Sequence, residues 1–250
     1  MSTIAASVID ASSLQYRELN LMVRSAIARG EKDLVLRNVC GQRYIGAGLS
    51  TDASILIEGI PGNDLAAFMN GPVIRVQGNV QDGVGNTMSS GTVAVDGDAG
   101  DVLGYAMRGG RIFVRGEAGY RVGIHMKEYG PQVPTIVIGG TVRDYFGEYM
   151  AGGTLVLLGL DVPPGEPLAG DFLGTGMHGG DIYVRGAVED WQLGREVGRV
   201  PIDDAAWTNL SLHLDAFRRE FGLSDELPTK EEFTRLRPVS RRPYGRIYVY

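Results

Sequence analysis

The sequence predicts an all-β solenoid, in which short parallel strands coil into stacked rungs flanked by a helix on either side of the array. Three observations carry this reading. Met69, Met88, Met107 and Met126 stand 19 residues apart, and Gly59, Gly78, Gly97 and Gly116 keep the same step. Each tile contains an alternating apolar run such as RIFVRG at 111–116, with the two-residue period of a strand. Glycine accounts for 37 of 250 residues without any Gly-X-Y period, so it marks corners that need positive φ or close backbone approach. A fixed period near 20 residues denotes a stacked, one-dimensional architecture. The LxxLxLxxN signature of leucine-rich repeats is missing, and a propeller blade needs ~40–50 residues.

Taken in order, residues 1–12 read as an extended lead-in. A helix is expected over 13–29, with Leu14, Leu19, Leu21, Met22, Val23, Ala26 and Ile27 at helical spacing, Ser12 or Ser13 as N-cap, and Gly30 at the stop. DLVLRNV at 33–39 alternates as a first strand. Residues 1–40 therefore form a cap over the open end, where bare core and unpaired backbone need cover.

The repeat domain spans residues 41–186, about seven rungs. Its first tile, GQRYIGAGLSTDASILIEG, is degenerate and puts Leu49 at the Met position. Met150 follows Met126 after 24 residues and Met177 follows after 27, which places insertions at 127–135 (containing YGPQVP) and 160–168 (containing VPPGEP). Three residues before each Met stands Gly85, Gly104, Gly123, Gly147 or Gly174, with Ala66 in the earliest of these tiles. The pairs Ile74/Val76, Val93/Val95, Ile112/Val114, Ile136/Ile138, Leu155/Leu157 and Ile182/Val184 should face inward and form ladders with the Met column.

Residues 187–250 leave the repeat. A linker is read over 191–200. A helix follows over 205–221, capped by Asp203 or Asp204, with Trp207, Leu210, Leu214 and Phe217 on one face. The tail 238–250 ends in a strand-like IYVY that packs either on this chain or on a partner.

Composition narrows the function classes. A net charge of −6 argues against a phosphate-binding surface. A single cysteine, Cys40, excludes an internal disulfide framework and a Cys-based metal or iron–sulfur site within one chain. The start, MSTIAASVIDASS, lacks a signal-peptide pattern, and no apolar run approaches the ~18 residues of a membrane span. A cytoplasmic protein is the expectation.

Several constellations could carry chemistry. GTGMHG at 174–179 matches G-x-G-x-x-G, but it opens the strand DIYVRG where a dinucleotide loop must open a helix, so it reads as another corner. Asn63, Asp82, Asp101, Tyr120, Asp144 and Asp171 form a column six residues ahead of each Met. Calcium solenoids need a nonapeptide GGxGxD loop, so these carboxylates are expected to bond corner N–H groups instead. His125 and His178 lie on rungs that are not adjacent and lack zinc spacing. Ser89 and Ser90 precede Gly91 without a G-x-S-x-G elbow. Cys40 reads as a small buried residue. The strongest feature is an outward column of the main strand: Arg75, Ala94, Phe113, Val137, Val156, Tyr183. Phe113, Val137, Val156, Leu158 and Tyr183 are the candidate interface. Either the terminal helix or tail covers them, or another subunit docks there.

The tiles GQRYIGAGL, VQDGVGNTMSSGTVAVDG, GDVLGYAMRGGRIFVRGEAGYRVGIHM, DYFGEYMAGGTLVLLG and GMHGGDIYVRG resemble the glycine-rich C-terminal domain of the glutamate synthase large subunit. They also resemble the repeat-bearing subunit of formylmethanofuran dehydrogenase. The resemblance covers about residues 40–186 and implies a right-handed parallel β-helix. It further implies a non-catalytic scaffold that sets a glutaminase-type amidotransferase against an FMN-binding synthase and shapes the ammonia path. FMN and an iron–sulfur cluster would then reside in partner subunits, with no catalytic, cofactor or metal residue in this chain. Two alternatives stand beside it: a scaffold in a formylmethanofuran dehydrogenase or formyltransferase/hydrolase complex, and a free-standing solenoid hydrolase with its site at the loops 127–134 or 160–168.

Overall fold

The computed structural model describes residues 6–163, 165–224 and 228–239; the expected packing of IYVY lies outside the described residues. Among the described residues there are eleven strands, β1 (Ser7–Asp10), β2 (Asp33–Cys40), β3 (Ser54–Ile60), β4 (Asn70–Gln77), β5 (Ser90–Val95), β6 (Arg111–Val114), β7 (Thr135–Ile138), β8 (Ala151–Leu157), β9 (Gly179–Arg185), β10 (Val197–Val200) and β11 (Phe233–Pro238), and two α-helices, α1 (Tyr16–Ala28) and α2 (Asp204–Phe221). The strands form one sheet in the order β1-β2-β3-β4-β5-β6-β7-β8-β9-β11-β10. The chain is a β-solenoid of about six turns, one fewer than expected. From β1 to β9 every pairing is parallel.

Each coil has three walls. The main strand is the first. The second is a single-residue ladder, Val80–Ala99–Ala118–Val142–Ala169. One coil earlier the equivalent position is Pro61, which has no N–H to donate, and the first coil is incomplete there. The third wall is the turn that leads into each Met. All six expected inward pairs are buried, and Met69, Met88, Met107, Met126, Met150 and Met177 are fully so. At ~1.5–3 kcal/mol per buried large side chain, stability comes from neighbouring rungs covering each other's faces.

The corner glycine exists because of the next rung. A Cβ on Gly104 would meet Ile136 Cδ1 at 2.3 Å, and the same contact recurs between Gly85 and Ile112 at 2.4 Å. Where the corner is Ala66, the corresponding residue of the next rung is Val93, which has no δ-methyl. Small and large are thus exchanged across one contact.

α1 plugs the first coil with Leu19, Val23 and Ala26. It starts later than expected, because Gln15 and Glu18 form the capping box in place of Ser12 or Ser13. Asn20 Nδ2 and the Arg24 guanidinium donate to the carbonyls of Arg43 and Ala47, tying α1 to the first turn. Cys40 is exposed, contrary to the expectation of burial. A register shift between Leu36 and Val39, with Asn38 at φ 56°, puts Val39 inward and so turns Cys40 outward.

At the other end, the stretch read as a linker contains β10. β10 pairs antiparallel with β11, and β11 with β9. Val188, Val197 and Leu236 join the core and close the last coil. Asp203 caps α2 by accepting from Ala206 N–H at 2.8 Å, and Gly222 at φ 61° ends it.

Candidate functional site

The five residues of the predicted interface are covered by this chain's own helix. Phe113, Val137, Val156, Leu158 and Tyr183 are each at most 3% exposed and pack with Leu210, Leu214 and Phe217 of α2 and with Phe233 of β11. The pairings Phe113↔Val137, Val137↔Val156 and Val156↔Tyr183 form one outward ladder. α2 has 18 residues, about 27 Å, close to the ~24 Å of five strand spacings. It crosses from Tyr183 to Arg75, where Arg75 Nε and Nη2 donate to Glu220 at 2.5 and 3.1 Å. Phe113 meets Phe217 edge-on, with centroids 5.8 Å apart. These residues are therefore an intramolecular seam and not a docking face.

The seam shifts two titrating groups. Burial, then Asp181, pushes the Tyr183 hydroxyl up to about 12. Burial, followed by Arg111, drops His213 of α2 to about 4. Among the described residues the buried His213 Nε2 has no hydrogen-bond partner, so its charged form would be uncompensated there.

The turn wall is the face that stays open, and its backbone is the least ordinary in the molecule. Positions five, three and one before each Met take left-handed φ, as in Val102 (52°), Gly104 (69°) and Ala106 (50°), or Arg121 (59°), Gly123 (73°) and His125 (55°). The alternation turns successive N–H groups in opposite directions along the stack. Val102 and Ala106 donate forward to Tyr120 and Ile124, whereas Gly104 donates backward to Val84. Each turn is locked by two neighbours, which is how non-glycine residues are held at a cost of roughly 1–3 kcal/mol each. The tiles carry glycine at different members of this triplet, GAG at 46–48, GVG at 83–85 and GTG at 174–176. Stacking the tiles by column would have revealed it; reading only the glycine three before Met missed the other two positions.

The aspartate column follows its predicted role. Asp82 Oδ1 accepts from Asp101 N–H at 2.9 Å, Asp101 Oδ1 from Tyr120 N–H at 2.8 Å, and Asp144 Oδ1 from Asp171 N–H at 3.0 Å. A parallel column, Asn79 to Asp98 to Glu117, does the same. GTGMHG is a corner that leads into β9.

Outside the turns lies a band of aromatic and charged side chains. His125 stacks on Tyr149 at 5.2 Å and meets Tyr105 edge-on at 5.9 Å. Tyr145 stacks on Phe172 at 5.0 Å, with Arg121 lying 4.5 Å over its ring. The Arg121 guanidinium also binds the buried Glu148 carboxylate. Phe68, Tyr105, Tyr120 and Phe172 are exposed along the same wall. The insertion at 127–135 turns back on itself through the bridge Tyr129↔Gln132. The insertion at 160–168 lines a groove of about 880 Å³ whose other polar walls include Arg185, Glu189, Gln192, Glu231 and Glu232. Among the described lining residues there is no serine, histidine or cysteine, and the Thr234 hydroxyl donates to the Gly186 carbonyl at 2.6 Å. Among the described residues no group of His, Cys, Asp and Glu is arranged to hold a metal ion. Nor is any described helix long and apolar enough to cross a membrane.

This geometry defines a class, the glycine-cornered β-solenoid with a triplet of left-handed residues per turn. Residues 25–205 match the family model described as the GXGXG motif, whose name spells the spacing of that triplet. The chain belongs to the GXGXG motif family, which includes the C-terminal domain of the glutamate synthase large subunit. It is 45% identical over 249 residues to an uncharacterized protein of Methanocaldococcus jannaschii, an alignment covering 96% of this chain and 95% of the relative.

Proposed function

We propose that this chain is the scaffold subunit of a glutamate-synthase-like complex, holding a glutaminase-type amidotransferase and an FMN-binding synthase in fixed relation and shaping the ammonia path between them. The observation that carries the reading is where the polar groups go. Asp82, Asp98, Asp101 and Asp144 spend a carboxylate oxygen on the next rung's N–H, and Glu148 is spent on Arg121. Such groups stiffen a stack; they are not poised to attack a substrate. The family match adds to this, and the open band of Tyr105, His125, Tyr149, Tyr145 and Phe172 offers the rigid aromatic anchors that subunit interfaces favour. FMN and an iron–sulfur cluster then belong to the partners.

The test is isolation of the tagged full chain from its own cells under mild conditions. Expected are a glutaminase-like chain and a yellow flavoprotein in fixed ratio, with glutamine-dependent amination by the assembly. A metal-bearing amidohydrolase in their place would favour the formyl-transfer scaffold. Turnover by the purified chain alone, lost on a single Ser or His substitution, would favour a hydrolase.

A further inference from the structure

The first and last rungs of a solenoid each lack one neighbour to bond their backbone groups. In the turn wall the loss is specific. N–H groups five and one before each Met donate forward to carbonyls six and two before the next Met, as Asp64 does to Asp82 and Phe68 to Asn86. The first turn, in which Leu49 holds the Met position, therefore presents two carbonyls that no preceding rung supplies with a donor. They are Arg43 and Ala47, placed as Asn63 and Ala67 are one rung on. The last turn presents the N–H of Gly176, at a position where Tyr149 of the rung before finds the Thr175 carbonyl. In the second wall the Val80 and Ala99 carbonyls accept from Gly100 and Gly119 of the following rung, and the ladder ends on Ala169.

Side chains fill each of these places. Asn20 Nδ2 donates to the Arg43 carbonyl at 2.8 Å and the Arg24 guanidinium to that of Ala47, from residues about one turn apart on α1. The buried Gln192 donates through Nε2 to the Ala169 carbonyl at 2.7 Å. Glu196 Oε2 accepts from the Gly176 N–H at 2.9 Å. The match is one of polarity as well as place: donors meet the three carbonyls, and a carboxylate meets the N–H. It extends to the aromatic side chains. Tyr145 and Phe172 stack as neighbours in the column five before Met, and Tyr44 begins that column. Where the preceding ring of the column would lie, Tyr16 of α1 stands 6.0 Å from Tyr44, with Arg43 over its ring at 5.1 Å.

We propose that Asn20, Arg24, Gln192 and Glu196 are the end stops of the solenoid. Each stands in for a backbone group of a neighbouring rung, and together they hold the first and last turns in the geometry of the inner ones. Without them the terminal turns would keep left-handed residues, Tyr44 at φ 61° and Phe172 at φ 63°, pinned from one side only. Phe172 belongs to the open aromatic band and lies in the turn that Glu196 closes, so Glu196 is a positioning residue for that face. This role is independent of which partner the face binds.

Native-state hydrogen exchange on the full chain, read amide by amide in NMR spectra, tests it through changes of polarity at constant shape. Glu196→Gln keeps an oxygen at the acceptor's place and should leave the Gly176 amide protected to within about threefold. Glu196→Met removes the acceptor and should speed exchange of Gly176 at least ~tenfold, with Tyr149, whose acceptor is Thr175 in the same turn, following it. At the other end, Asn20→Asp sets an acceptor against the Arg43 carbonyl, and Arg24→Met removes a donor. Each should speed exchange of Tyr44 and Gly48, the forward donors of the first turn, by a similar factor. Thr87 and Ala106, in inner turns, should keep their wild-type rates. Should Asn20→Asp fail to fold, Arg24→Met decides that end. Unchanged Gly176 exchange in Glu196→Met, unchanged Tyr44 and Gly48 exchange in the α1 variants, or an equal loss of protection at Thr87 and Ala106 overturns the proposal.

Discussion

The main-sheet wall and the turn wall belong to the same coils, yet they are held by different forces. The outward ladder Phe113–Val137–Val156–Tyr183 is apolar, dry and buried under α2. The turn wall stays open, carries aromatics and charges, and owes its shape to left-handed residues pinned by bonds to the rungs on either side. Side-chain burial stabilises the first wall and backbone hydrogen bonding the second. The same kind of substitution should accordingly have different consequences on the two.

The largest effect is expected at the seam. Phe217→Ala should cost about 3–5 kcal/mol in denaturant unfolding, because the ring is fully buried against Phe113. Phe113→Glu with Tyr183→Glu, harmless on an open face, should instead free α2 and make it the first site cut in limited proteolysis. If the double variant keeps the wild-type midpoint and proteolytic pattern, α2 does not hold the seam in solution.

Acid should act on the same seam. His213 is neutral in the fold with a value near 4, against 6.5 for a free imidazole, so the unfolded chain binds its proton first. Its contribution is fully present above pH ~6.5 and is lost as pH falls toward ~4, a change of order 3 kcal/mol. His213→Gln should flatten the stability profile across that window, and a slope equal to that of wild type would show that another group is responsible.

At the corner between the walls, Gly104→Ala should destabilise by about 1–3 kcal/mol through the clash with Ile136 Cδ1. Adding Ile136→Val should restore a large part of that loss, as the natural Ala66 and Val93 combination implies; strict additivity in the double-mutant cycle would remove the contact as the cause.

The smallest effect belongs to the open wall. Phe68 is 61% exposed at φ 57°, so Phe68→Gly relieves a strained backbone as it deletes an unburied ring. Stability should move by less than about 1 kcal/mol in either direction. A loss as large as that of Phe217→Ala would mean that the turn wall is also covered in the free chain.

Much of this was legible in the sequence, for identifiable reasons. The Met and glycine steps revealed the coil because stacking demands identical geometry at each rung. The inward pairs followed from alternation, and the aspartate column was rightly read as bonding corner N–H groups. The later start of α1 was hidden because Gln15 is an unusual N-cap and because Ser12 and Ser13 drew the assignment. Cys40 was misplaced because a bulge at Asn38 breaks strict alternation and leaves no composition signal. β10 and β11 were missed because they lie in sequence beyond the repeat and pair antiparallel, so the 19-residue register gives no guide to them. The left-handed triplet was partly hidden because Val102, Ala106, Arg121 and His125 occupy positions that glycine would have marked.

By itself the sequence determined the solenoid, its corner glycines and its inward ladders, since each depends on a residue type recurring at fixed spacing. Only the tertiary structure decided which outward face is free. An apolar ladder looks the same in sequence whether a partner or the chain's own helix covers it. α2 reaches Phe113 and Tyr183 across more than twenty residues of chain that have no periodic relation to the ladder, and that choice rests on where the helix lands in space.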